Sequence, residues 1–232
     1  MAFLPDRVRP GFSARGFTLV ELLVVIAVIG VLASLALAVL PGMLENGRRV
    51  QCQSRLANLG RAVLLYAQDN EMTLPRTAAG ANPTDPFATA AATYTADILP
   101  YLNLTKEQAQ ADRNLFRCPS RPNLPTSGTF ERPQYAFNGV FPAPQGLARV
   151  RLHAIEKPSR TVLMAEGAVA HPFSNHPFRG MKVVPDAKCW IFFVDGHTAY
   201  LPIYSPGGGM TLASDPPASY GYQWSPGTGP EP

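Results

Sequence analysis

The chain has 232 residues, a formal net charge of +4 and only 16% charged residues. That length holds one ordinary domain plus appendages, and a charge so small, with no basic cluster interleaved with aromatics, excludes nucleic acid as the expected partner. Three cysteines, Cys52, Cys118 and Cys189, allow at most one internal bridge, while 24 prolines and 19 glycines, mostly beyond residue 70, predict a turn-rich body of short elements.

From Phe17 to Leu40 the chain is apolar, with Glu21 as its one charge. As a helix at about 1.5 Å per residue the run reaches roughly 36 Å, enough to cross a hydrocarbon core of about 30 Å. Arg7, Arg9 and Arg15 precede it and suit a cytoplasmic N-terminus. These features fit a plain signal anchor. Ala36-Leu37-Ala38 also has the small-x-small form of a secretory cleavage site, although the run exceeds the ~7–15 residues of a secretory apolar region. Neither reading uses Glu21. A charged acid in lipid costs about 2.5 kcal/mol or more, so its presence points to a function and to a partner.

Arg15-Gly16-Phe17-Thr18-Leu19-Val20-Glu21, running on into Leu22-Leu23-Val24-Val25-Ile26-Ala27, resembles the N-terminal signature of type IV prepilins and type II secretion pseudopilins. The resemblance implies that a prepilin peptidase cuts between Gly16 and Phe17 and methylates the new amine. Residues 1–16 would then be a leader peptide, and 17–40 a transmembrane helix that also forms the core of a filament. Glu21 becomes the fifth residue of the mature chain, placed to pair with the Phe17 amine of a neighbouring subunit. Two charges that are costly to bury singly become tolerable together, and the pairing fixes register. The implied partners are the peptidase, other pilin or pseudopilin subunits, and a membrane crossed once. The implied location is the bacterial inner membrane, with the N-terminus cytoplasmic, the body periplasmic, and a filament extending outward.

Pro41-Gly42 predicts a kink or break where the helix leaves the lipid. An amphipathic helix is expected over 41–75, because Cys52, Leu56, Leu59, Val63 and Tyr66 alternate spacings of four and three and so share a face. Arg48, Arg49, Arg55 and Arg61 lie off that stripe and read as a solvated face near anionic headgroups. The helix should end near Asp69-Asn70, ahead of Leu74-Pro75.

Residues 76–204 read as the globular body and 205–232 as a flexible tail rich in Gly, Pro and Ser. Residues 76–96 read as a loop, 97–104 as a short helix or turn interrupted at Pro100, and 116–146 as irregular structure with short extended pieces. Arg151–Ile155 and then Thr161–Ala165, separated by a Pro158 turn, are the clearest elements before the end of the body, the second being a buried strand. Trp190–Val194 and Thr198–Pro202 flank Asp195-Gly196, a strong hairpin signal because both central residues of the favoured turn need positive φ. The fold expected is α+β and pilin-like: a long N-terminal helix packed on a small antiparallel sheet of three to five strands.

The ordered segments CQSRLANLGRAVLLYAQDNEMTLP (52–75), FRCPSRP (116–122), YAFNG (135–139), IEKPSRTVLMAEG (155–167) and WIFFVDGHTAYLP (190–202) resemble prepilin-type proteins with the so-called H-X9-DG C-terminal domain. One departure stands out. The histidine of that pattern would fall at position 185, which is Pro185, and the nearest upstream histidine is His176.

In an oxidising compartment Cys52 and Cys118 are the candidate disulfide pair, with Cys189 a small core residue at a strand start. Asp195, Gly196 and His197 read as a hairpin tip rather than metal ligands, and Asp69, Asn70 and Glu71 carry only a weak analogy to calcium-binding relatives. No clustered Cys/His spacing suggests zinc, so neither metal nor cofactor is expected. His153, His171, His176 and His197 form no recognisable nucleophile–base pattern, and Gly207-Gly208-Gly209 lacks the strand and GK[ST] of a phosphate loop. The expected function is that of a structural subunit, not an enzyme, in a pilus or secretion pseudopilus. The alternative is an uncleaved, membrane-anchored envelope protein whose periplasmic domain binds a ligand or glycan.

Overall fold

The computed structural model describes residues 17–76, 94–111, 115–120, 134–139, 146–166, 176, 187–204 and 215–227. One helix dominates: α1, Leu19–Asp69, 51 residues long. It carries Pro41 inside it, so the break expected at Pro41-Gly42 does not occur. A proline removes one backbone hydrogen bond, but extending a formed helix is far easier than nucleating a second one. Good helix formers stand on both sides, Ala36-Leu37 before and Met43-Leu44-Glu45 after. The chain divides into two compact units between Leu44 and Glu45, so α1 contributes to both.

α1 stops at Asp69, where Asn70 donates its side-chain amide to the Tyr66 carbonyl, 2.8 Å away. Glu71 and Met72 then adopt left-handed backbone (φ 54° and 58°) and turn the chain, after which Thr73 bridges to Arg151 and Leu74 N–H donates to the Val150 carbonyl. A helical turn over 94–98 leads into a 3-10 turn at Leu99–Leu102, and α2 covers Lys106–Ala111. The 151–155 stretch holds a 3-10 turn at Leu152–Ala154 between extended backbone at Arg151 and Ile155.

The sheet is a four-stranded antiparallel meander in sequence order: β1 Tyr135–Phe137, β2 Val162–Glu166, β3 Lys188–Phe193 and β4 Thr198–Pro202. The fold class is therefore α+β. β3 and β4 join at Asp195-Gly196, where Gly196 takes φ 92°, a conformation that costs a glycine little. Register between β2 and β3 shifts between Val162 and Met164. That irregularity sends two successive side chains, Leu163 and Met164, to the same core, whereas a regular strand would alternate them.

Two cores sandwich the sheet. On one face Cys52, Leu56, Leu59 and Val63 of α1 meet Phe137, Leu163, Met164 and Phe192, with Tyr66 packed half-buried at the edge. On the other, Val162, Ala165, Ile191 and Phe193 meet Ile203, Tyr222 and Trp224. β2 is buried along its whole length because both its faces are covered. The second core corrects the flexible-tail expectation for residues 215–227. Their aromatics cover sheet surface that would otherwise face water, and Asp215 ties the segment down by accepting the backbone N–H of Ser225 at 3.0 Å and that of Trp224. The solvated arginine face is corrected in part as well. Arg49 lies over the Tyr200 ring at 5.5 Å, and Arg55 donates to the Arg117 carbonyl at 2.6 Å, because long stems reach across to polar partners.

Candidate functional site: a capped apolar helix and a buried polar clasp

Among the described residues, two groups carry chemistry. The first lies at the start of α1. Thr18 precedes the helix and Glu21 is its third residue, and the two close a capping box: Thr18 N–H donates to Glu21 Oε2 at 2.9 Å, while Glu21 N–H donates to Thr18 Oγ1 at 3.2 Å. The Thr18 hydroxyl donates to the same carboxylate at 2.8 Å. A carboxylate here also meets the positive end of the helix dipole. Phe17 stands exposed in front of the cap, and Gly16 lies outside the described residues. Leu19–Leu37 is long and apolar enough to cross a membrane, and its large side chains are exposed. Ser34, the one hydroxyl within it, donates to the Val31 carbonyl at 2.7 Å, which removes an unpaired donor from an apolar surface.

The second group sits inside the body. Cys52 of α1 and Cys118 form a disulfide, with Cα atoms 5.2 Å apart. Against it lies His176, whose side chain is 1% exposed. Its Nε2 is 2.9 Å from Glu166 Oε1 at the end of β2 and 3.6 Å from Cys118 Sγ. Its Nδ1 is 2.9 Å from Ser120 Oγ and 3.3 Å from Glu45 Oε1 on α1. Ser120 donates its proton to Glu45, 2.8 Å away, and Glu166 Oε2 accepts the Trp190 backbone N–H at 3.1 Å. Each ring nitrogen of His176 thus faces a carboxylate, Nε2 that of Glu166 and Nδ1 that of Glu45. Burial alone would favour the neutral ring. The hydrogen bonds and charges of Glu166, then of Glu45, outweigh it and raise the His176 pKa.

Ser120, His176 and Glu166 thus stand in the order of nucleophile, base and acid. Ser120 nevertheless spends its proton on Glu45 and is itself buried, and a cleft among the described residues lies elsewhere, lined by Tyr66, Asn70, Thr73, Leu74, Arg76 and Arg149.

The other sequence candidates separate. Asp195 and Gly196 form the β3–β4 tip, where Asp195 accepts the His197 backbone N–H at 3.1 Å and the His197 ring stacks on Phe193 at 4.2 Å. Cys189 is a free, buried thiol in β3. Glu45, Ser120, Glu166 and His176 escaped sequence reasoning as a group. Thr18 escaped it too, although Thr18-x-x-Glu21 ahead of an apolar run is a legible capping signature.

Residues 12–37 match the family described as the prokaryotic N-terminal methylation motif. Over 60 residues the chain is 43% identical to type II secretion system core protein G of Pectobacterium carotovorum subsp. carotovorum, covering 26% of this chain and 38% of that protein. Over 56 residues it is 46% identical to the protein of that name from Klebsiella pneumoniae, covering 24% and 40%. The chain thus spans about two fifths of the length of the curated relatives it matches. No solved structure matches it.

Proposed function

We propose that this chain is a prepilin-like structural subunit, processed by prepilin peptidase between Gly16 and Phe17, N-methylated, and assembled into a pseudopilus or a type IV pilus-like filament. The observation that carries the reading is the start of α1. A methylation motif over residues 12–37 leads into a capped helix whose exposed apolar side chains fit lipid before assembly and neighbouring helices after it. Its partners are the peptidase and other pilin-like subunits. Its N-terminus faces the cytoplasm while membrane-bound, and its body faces the periplasm. Within the body, the order of motifs supports a C-terminal domain of the H-X9-DG type, with His176 standing in from a displaced position. Its work is mechanical, and no substrate is assigned to it.

N-terminal sequencing and mass analysis of the membrane-extracted chain test this reading. A start at N-methyl-phenylalanine 17 is expected. An intact Met1 would replace it with the anchored envelope protein, and a start at Val39 with ordinary signal cleavage.

A further inference from the structure

The disulfide does not account for the groups packed against it. A bridge between two sulfurs needs neither an imidazole nor a carboxylate, and burying that pair is costly unless its hydrogen bonds are complete. Yet Cys52 Sγ, Cys118 Sγ, His176 Nε2 and a Glu166 oxygen lie within 4.8 Å of one another, all on buried residues, from four separate parts of the chain. Two thiolates, one imidazole and one carboxylate make a four-ligand set suited to tetrahedral zinc.

The outer groups match as well. A zinc-bound histidine commonly sends its second nitrogen to a carboxylate or hydroxyl, and a ligating carboxylate is itself hydrogen-bonded. Here His176 Nδ1 meets Ser120 Oγ at 2.9 Å and Glu45 Oε1 at 3.3 Å, and Glu166 Oε2 holds the Trp190 N–H. These contacts fix the ring so that Nε2 points at Cys118 and Glu166. We propose that the dithiol form of this cluster is a Zn2+ site made by Cys52, Cys118, Glu166 and His176, so that α1 is clasped to the sheet by a disulfide when oxidised and by zinc when reduced.

The conversion balances with a dithiol as reductant. The Cys52–Cys118 bond takes two electrons and two protons and becomes two thiols, while the dithiol leaves as its own disulfide. Zn2+ then displaces the two thiol protons, and the His176 Nε2 proton where one is present, to solvent. Metal takes the place of the proton between His176 and Glu166, and the sulfurs separate by a rotation of their side chains.

The test uses the full chain in detergent, reduced with dithiothreitol, desalted without oxygen, and titrated with Zn2+ or Co2+. One equivalent should bind, with the visible bands of tetrahedral Co2+ and a thiolate charge-transfer band, and oxidised protein should show neither. His176→Ala should abolish these bands. Glu45→Gln, which keeps the shape, should weaken binding about 10–100-fold. Cys189→Ser should bind as the unaltered chain does. If reduction alone unfolds the body, its recovery on adding Zn2+ supports the site and failure to recover overturns it. A folded reduced chain that binds no more Co2+ than the oxidised one, or a Glu45→Gln chain that binds as tightly as the unaltered one, also overturns it.

Discussion

Glu21 has two claims on its carboxylate. In the isolated chain it caps its own helix through Thr18, and in the proposed filament it faces a neighbour's Phe17 amine. The two roles respond differently to substitution. Glu21→Gln keeps an oxygen for the Thr18 N–H, since glutamine also closes a capping box, but it removes the charge. Glu21→Ala removes both, and Thr18→Ala removes only the cap at a cost of about 1 kcal/mol of helix stability. If charge pairing drives assembly, Glu21→Gln and Glu21→Ala should both be cleaved normally and both should fall several-fold in the ratio of sheared filament to membrane-bound subunit. Thr18→Ala should stay close to the unaltered chain. Full incorporation of Glu21→Gln would assign the Thr18–Glu21 geometry to capping and remove the pairing mechanism. The sequence displayed the acid because a charge interrupts an apolar run. The cap is legible there too, as Thr18-x-x-Glu21 ahead of an apolar run.

At the level of elements, the stripe of α1 was legible because a helix repeats every 3.6 residues, so Cys52, Leu56, Leu59 and Val63 had to share a face. What that face meets was not legible. At Gly60 α1 packs tightly on β3: a Cβ built there falls 2.3 Å from the buried Phe192 ring. Alanine is the better helix former by up to about 1 kcal/mol, but overpacking costs about 1–3 kcal/mol and the ring has no room to swing. Gly60→Ala should therefore lower the unfolding temperature by several degrees in a thermal melt, and an unchanged or higher value would show that the interface yields. The Cys52–Cys118 bridge acts on the same contact. It closes a separation of 66 residues, which the loop-entropy relation values at roughly 4 kcal/mol. Metal-free reduced protein should melt on the order of 10 °C below the oxidised form. Mass analysis after denaturing thiol labelling should count one thiol, Cys189, before reduction and three after it. The clasp around His176 left no trace in the sequence because residues 45, 120, 166 and 176 share no local spacing. Only the meeting of α1, β2 and two connecting segments assembles them.

Across the whole molecule, the sheet is a middle layer rather than an outer wall. α1 covers one face, and the returning C-terminal segment covers the other through Tyr222 and Trp224. Composition hid this layer: a Gly-, Pro- and Ser-rich stretch reads as loose, while two aromatics and one aspartate decide where 215–227 lies. Asn138 of the YAFNG segment joins the layers. Its side-chain amide donates to the carbonyls of Val162 and Trp224, each at 2.7 Å, its own backbone N–H donates to Leu163 at 2.9 Å, and its carbonyl accepts Leu147 N–H at 3.1 Å. A buried amide that satisfies carbonyls from two elements makes their docking cooperative, because losing the segment also orphans polar groups in the sheet. Trp224 is 5% exposed, and truncating a buried tryptophan to alanine costs about 3–5 kcal/mol. Trp224→Ala should melt on the order of 10 °C below the unaltered chain, and deletion of 215–232 should lower it at least as far. Both changes should leave the proposed cleavage at Gly16–Phe17 intact, since that bond lies far away in sequence and in a separate compact unit. A deletion that melts within a degree or two of the full chain would return the segment to a dispensable tail and leave the second face of the sheet as an exposed apolar surface.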